Sequence, residues 1–324
     1  MKEKNIILKS IVTLICCSLL VVGCKKRDEA TPNTPAATTT DGLADQTLRA
    51  SDQSNVDSES ELAMDDINST LQDVSTTRDI QDAPCGATVD SIHKDSGRVI
   101  INYDGVTVCA GKKRSGRIVI QLPFNGTVTR WSTQNCVASI YFENYKITNV
   151  FTNKSVTFNG YHTIQNLTAG GYEVLLVAGG YVKHKIRGQM DLTFDNLTTR
   201  HWTITKVREF RNVGNNVIKA TVNGDSTITG SYGHVVTCGT NRIGENFVVD
   251  IPTAITYYIY NNGTSCLYKP LTGVVIHYGV AYPLTITYGV TATGTPDTSP
   301  CPYGYKLSWS NAQGSPDGKV LPYQ

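Results

Sequence analysis

The chain has 324 residues, 40% of them hydrophobic and only 17% charged, with 28 Gly, 17 Tyr, 3 Met and a formal net charge of +2. This is enough apolar material for a core, so a globally disordered chain is excluded, as are a coiled coil, a collagen-like chain and a polytopic membrane protein. The near-neutral charge argues against a nucleic-acid binder.

Lys2, Lys4 and Lys9 open a mainly basic start, and an apolar run from Ile11 to Val22 follows. The run is short for a bilayer span and has the form of a secretory signal peptide over 1–23. It ends in Val21-Val22-Gly23-Cys24, which resembles the lipobox of bacterial lipoproteins. The resemblance implies that Cys24 becomes the lipid-bearing first residue of the mature protein. Several acyl chains anchor a protein stably where one does not. Lys25-Lys26-Arg27-Asp28-Glu29 resembles the charged segment that routes some Bacteroidota lipoproteins to the cell surface. The expected address is therefore an outer membrane lipoprotein, with cell-surface exposure as one form of it.

Of nine Cys, Cys16 and Cys17 leave with the signal peptide and Cys24 takes the lipid. Cys85, Cys109, Cys136, Cys238, Cys266 and Cys301 remain, an even number that favours disulfides in an exported chain. Cys85–Cys109 and Cys266–Cys301 each bracket one or two predicted strands, and Cys136–Cys238 follows by elimination. No two of the six stand at C-x-x-C spacing and no His pair stands at zinc spacing, so no metal and no cofactor is expected.

Residues 24–82 form an expected tether. Thr31-Pro32-Asn33-Thr34-Pro35 opens a low-complexity stretch that favours extended, solvated chain. Residues 25–82 hold 13 Asp and Glu against 5 Lys and Arg, a net of −8. Ser58 and Glu61 fit a capping box, and Ala63, Ile67, Leu71 and Val74 keep helical spacing, so 58–75 is a candidate short helix. The body, 83–324, reverses the sign, with 21 Lys and Arg against 13 Asp and Glu. A positive body favours anionic partners, acidic glycans among them.

The body reads as strands almost throughout. Val99-Ile100-Ile101, Arg117-Ile118-Val119-Ile120 and Tyr172-Glu173-Val174-Leu175-Leu176-Val177 are strand-length apolar runs. Asp191-Leu192-Thr193-Phe194, His201-Trp202-Thr203-Ile204, Pro283-Leu284-Thr285-Ile286 and Lys306-Leu307-Ser308-Trp309 alternate polar with apolar, the sign of one buried face. Asn159-Gly160 and Asn223-Gly224-Asp225 are predicted hairpin turns, because a type I′ turn needs positive φ at its centre. Asn125-Gly126, Asp104-Gly105 and Asn262-Gly263 are further candidates. The expected fold is all-β, an antiparallel β-sandwich, one large or two in tandem. Two like halves would explain why Tyr103-Asp104-Gly105-Val106 is echoed by Tyr288-Gly289-Val290.

Cys85, Gly97-Arg98-Val99-Ile100-Ile101-Asn102-Tyr103, Val108-Cys109, Lys113-Arg114-Ser115-Gly116-Arg117-Ile118 and Phe142-Glu143-Asn144-Tyr145 together resemble uncharacterised lipoproteins of Bacteroidota. Gly273-Val274-Val275-Ile276, Tyr288-Gly289 and Cys301 extend the likeness over most of 83–310. Those relatives usually carry an acidic Asp-Gly-x-Cys-Asp run where this chain has Thr295-Pro296-Asp297-Thr298-Ser299-Pro300-Cys301. The resemblance implies a fold and an address, and no activity.

No nucleophile elbow, zinc-protease motif, P-loop or dinucleotide fingerprint occurs. The six His, at 93, 162, 184, 201, 234 and 277, are dispersed. Lys112-Lys113-Arg114-Ser115-Gly116-Arg117 is a basic run at a strand start, suited to a phosphate or acidic glycan or to plain solvation. Tyr257-Tyr258-Ile259-Tyr260 is the most suggestive aromatic group, with Tyr258 and Tyr260 sharing one face. The expected function is non-catalytic binding or structure, with the membrane as one partner through the lipid anchor and a glycan or an envelope protein as another. The alternative is a glycan-degrading hydrolase or lyase, which would need carboxylates converging about 5–9 Å apart.

Overall fold

The computed structural model describes residues 83–90, 94–109, 111–215, 217–228, 232–241, 244–260, 266, 269–279, 283–310 and 316–323. The expected signal peptide 1–23, Cys24, the expected tether 24–82 with its candidate helix 58–75, and Asn262-Gly263 lie outside the described residues.

Among the described residues fifteen strands form one antiparallel sheet, so the all-β expectation holds. The first seven are β1 (Ala87–Asp90), β2 (Arg98–Cys109), β3 (Lys112–Gln121), β4 (Val137–Asn149), β5 (Ser155–Asn166), β6 (Tyr181–Phe194) and β7 (Thr199–Asn212). The next four are β8 (Ile218–Gly224), β9 (Ser226–Ile228), β10 (Tyr232–Thr240) and β11 (Asn246–Tyr260). The last are β12 (Pro270–Tyr278), β13 (Leu284–Val290), β14 (Gly304–Ser310) and β15 (Pro316–Pro322). Sequence neighbours pair from β1 to β7 and from β10 to β15, and the β7–β10 ladder and β8, paired with both β7 and β11, join the two runs. β8 and β10 share the column between β7 and β11. β8 fills its Asn212–Tyr260 end and β10 its His201–Asn246 end.

Alternation explains which face is inside. Val182, His184, Ile186, Met190, Leu192 and Phe194 of β6 are buried at every second position, while Lys183, Lys185 and Arg187 point the other way. Leu284, Ile286, Leu307 and Trp309 repeat the pattern on β13 and β14. One large cluster of buried side chains runs from Ile101 on β2 to Trp309 on β14, beside a smaller one of Leu175, Val182, Phe210 and Ala220. Among the described residues there is no α-helix to cover this face, so the sheet covers itself by curling. The Tyr323 hydroxyl reaches from the end of β15 to donate to the Pro270 carbonyl on β12 at 2.6 Å, and it accepts the Gly289 N–H at 3.1 Å. Burial pushes this phenol up to about 12.

Bulges provide the curvature. Register jumps between Asp104 and Val108 on β2, Ser115 and Arg117 on β3, and Phe142 and Tyr145 on β4 form a line across the sheet. Another falls between Tyr288 and Val290, so the echoed Tyr-Gly-Val stretches both mark bulges.

Three sequence expectations are corrected here. Asn159-Gly160 is not a turn but lies inside β5, opposite the β4 bulge. The Asn159 side chain accepts the Asn144 N–H at 2.8 Å and so satisfies the donor that the bulge leaves unpaired. Gly160 has φ +139, and a Cβ there would stand 2.3 Å from the Gln189 carbonyl oxygen. The glycine thus serves close approach of β6 rather than chain reversal. Asn223-Gly224-Asp225 is likewise no hairpin, because β8 and β9 do not pair and the chain instead shifts onto β10. Tyr172–Leu176 is a 3-10 turn rather than a strand, leaving Leu176 83% exposed.

Cys85–Cys109 and Cys266–Cys301 are bonded as expected. Cys136–Cys238 does not form, and Cys136 keeps a free, buried thiol that burial raises to about 11. Cys136 precedes β4 and Cys238 lies on β10, four strand steps away. That is about 19 Å along the sheet, against the roughly 7 Å Cα separation a disulfide tolerates. Gly160→Ala is expected to lower unfolding stability by about 3 kcal/mol, since β6 must move to admit the methyl. Urea denaturation of the variant checks this, and an unchanged midpoint would refute the close-approach role.

Candidate functional site

The outward positions of β3 to β7 make a broad, largely exposed face, on which Val119 and Thr205 are buried. Tyr141 on β4 stands directly opposite Tyr161 on β5, and both are exposed, at 44% and 39%. Directly opposed residues hold their Cβ atoms about 5 Å apart. Tyr141 has Val119 as its partner on β3, and Tyr161 has Gln189 on β6. One step along, Ser139 faces Thr163, and the Thr163 hydroxyl donates to the Arg187 carbonyl at 3.2 Å.

Most of the charges on this face are tied to a partner. Arg117 bonds Glu143 across β3 and β4. His201 Nδ1 lies 2.6 Å from an Asp191 oxygen. Asp225 takes Lys185 at 2.5 Å and Arg187 at 3.1 Å. The result is a polar, nearly neutral surface with two aromatic side chains at its middle. Chemically it offers ring faces for stacking, surrounded by amide and hydroxyl groups that donate and accept hydrogen bonds. It is a face and not a cleft, so it suits an extended ligand better than an enclosed small molecule.

The residues singled out from sequence lie elsewhere. Tyr258 sits at the end of β11 opposite Lys219, half-buried, with the ammonium 5.3 Å from its ring centroid. Tyr260 pairs with Ile218 after a register jump, so simple alternation does not carry from Tyr258 to Tyr260. Tyr257 packs on the core from the other face. His162 and His184 are buried, His277 stacks on Phe247, and the His234 N–H donates to Asp250 at 2.7 Å. His93 lies outside the described residues. Lys113, Arg114 and Ser115 of the basic run line a depression of about 420 Å³ with Gly105, Val108, Thr148, Val150 and Asn153. No carboxylate lines that depression, and among the described residues no group of three or more His, Cys, Asp or Glu is placed to hold a metal ion.

The Tyr141–Tyr161 pair escaped the sequence reading for a definite reason. Taking Asn159-Gly160 as a turn put Tyr161 just past a hairpin tip, not opposite Tyr141. The alternation in Ser139-Ile140-Tyr141-Phe142 and Tyr161-His162-Thr163-Ile164 carried the signal, but only the register joins the two. Comparison with protein-family models, with characterised proteins and with solved structures finds no match to any of them.

Behind the face, the interior is unusually polar. Arg200, Lys206, Arg208, His162 and His184 are all buried. The guanidinium of Arg200 lies 4.2 Å from the Phe247 ring centroid, and that of Arg208 lies 4.9 Å from Phe210. Trp131, from the loop before β4, packs against His184 at 5.2 Å and closes this end of the core. Burial, with the Arg208 charge beside it, lowers His184 to about 3, so the folded protein holds it neutral. As pH falls below the ordinary histidine value near 6.5, the unfolded chain takes up a proton that the folded chain refuses. This site should then cost about 1.4 kcal/mol of stability per pH unit until pH approaches 3. His184→Gln should flatten the dependence of unfolding stability on pH by one proton between pH 6 and 4, and an identical slope in the variant would refute the assignment.

Proposed function

We propose that the chain is an exported, lipid-anchored, non-catalytic protein that binds a glycan on the Tyr141–Tyr161 face. The observation that carries the reading is the directly opposed, exposed tyrosine pair on a sheet face most of whose charges are already paired. Two large apolar rings left in water on a rigid sheet are poor for solubility and good for stacking. Sugar rings present apolar faces to such side chains and hydroxyls to neighbours such as Gln189, Ser139 and Thr163.

The address rests on the N-terminal sequence. The Val21-Val22-Gly23-Cys24 ending and the basic start support lipid attachment at Cys24, outside the described residues. The resemblance to Bacteroidota lipoproteins supports an outer membrane location.

A glycan array probed with the purified protein tests the binding reading. Binding to one glycan class is expected, weakened roughly tenfold, or about 1.4 kcal/mol, by Tyr141→Ala or Tyr161→Ala. Tyr258→Ala should leave it unchanged. Absence of binding, or binding indifferent to Tyr141 and Tyr161, would remove the reading and favour an envelope-assembly role.

A further inference from the structure

The strand ends that join β2 to β3, β4 to β5 and β6 to β7 lie side by side at one end of the sheet. The Val150 N–H donates to the Gly111 carbonyl at 3.0 Å, and the Asp195 N–H donates to the Ser155 carbonyl at 3.0 Å, so each tip is tied to the next. Phe151 lies with its ring against Gly111. Its turn is fixed by the Asn149 side chain, which accepts the N–H groups of Phe151 and Thr152 at 2.9 and 3.1 Å.

These tied tips are apolar and exposed: Val106 70%, Val108 52%, Phe151 85% and Leu197 82%. Cations flank the first two of them, while the third carries the exposed carboxylate of Asp195. Lys113 and Arg114 line the depression between the first two tips, and Lys146 and Lys154 are exposed beside it. None of these four makes an ion pair among the described residues, and Arg114 Nε makes no hydrogen bond. The nearby acid Asp104 is occupied, accepting the N–H groups of Val106 and Thr107 at 2.8 and 2.9 Å together with the Thr107 hydroxyl. The opposite end of the sheet also exposes Leu176 and Val177, but there Arg211 is held by Glu209.

The first two tips, apolar and flanked by unpaired cations, match one surface chemistry, the interface of an anionic bilayer. Its acyl boundary accepts the side chains and its phosphates the ammonium and guanidinium groups. We propose that the β2–β3 and β4–β5 tips dock on an anionic phospholipid surface, with Phe151 and Val108 entering the acyl boundary and Lys113 and Arg114 meeting a headgroup phosphate. This contact is separate from the lipid anchor and from the tyrosine face.

The test uses the full chain carrying Phe151→Trp, mixed with vesicles whose lipids have brominated acyl chains. Trp131, Trp202 and Trp309 are buried, at 2%, 1% and 8% exposure, so the unsubstituted protein provides the blank. The added emission should be largely quenched on vesicles of phosphatidylglycerol with phosphatidylcholine and retained on phosphatidylcholine alone. Adding Lys113→Glu and Lys154→Glu should restore it. Emission unquenched on both vesicles, or quenched equally on both, overturns the proposal. If inorganic phosphate shifts the emission while vesicles leave it unquenched, the depression takes a soluble anion and the bilayer contact is likewise overturned. Co-sedimentation of the same samples reports the lipid anchor separately, since an anchored chain pellets with either vesicle whatever its tips do.

Discussion

One sheet with one apolar face has to cover that face with itself. Everything else in the fold follows from this constraint. Each buried Ile, Leu or Phe on the inner face contributes about 1.5–3 kcal/mol only if water is kept off it. No helical layer among the described residues does so. The sheet therefore bends, and it bends where bulges at Asp104, Gly116, Asn144 and Gly289 relax the ladder. The Trp131 loop and the Tyr323 hydroxyl then close gaps that curvature alone leaves open.

The same constraint separates the duties of the two faces. Inward positions are committed to packing, even where the residue is Arg200 or Arg208, whose guanidinium groups lie on aromatic rings. Most outward positions carry no such duty. There the charged residues meet in pairs across neighbouring strands, and the Tyr141–Tyr161 pair is left standing in solvent. A surface residue that neither packs nor pairs is where binding chemistry can be placed without cost to the core.

Much of the fold was legible because alternation is local. Leu192, Phe194, Trp202, Ile204, Leu284, Ile286, Leu307 and Trp309 all lie inside, as their spacing requires. Two disulfides followed from Cys residues that bracket strands. The failures were non-local. Asn-Gly at 159–160 has turn chemistry, yet the demand it answers comes from Asn144 on β4 and from the backbone of β6. The apolar run from Tyr172 has strand propensity, but flanking glycines and packing on β6 and β7 fold it into a 3-10 turn. Pairing Cys136 by elimination ignored how many strands stand between it and Cys238. The tyrosine pair depends on register, which no single strand encodes.

The two proposed contacts have a fixed geometric relation. Tyr141 lies eight residues before the end of β4 at Asn149, roughly 27 Å along the strand. The tips bearing Val108, Phe151 and Leu197 cap the ends of those same strands. A glycan stacked across Tyr141 and Tyr161 crosses the strands instead of following them. With the tips on a bilayer, strands β2 to β7 stand away from the surface, and a chain crossing them runs along the membrane some nanometres above it. An attachment at one point leaves the orientation of a body open. Tip contact would fix its tilt and hold the tyrosine face sideways, open to a polymer lying parallel to the membrane.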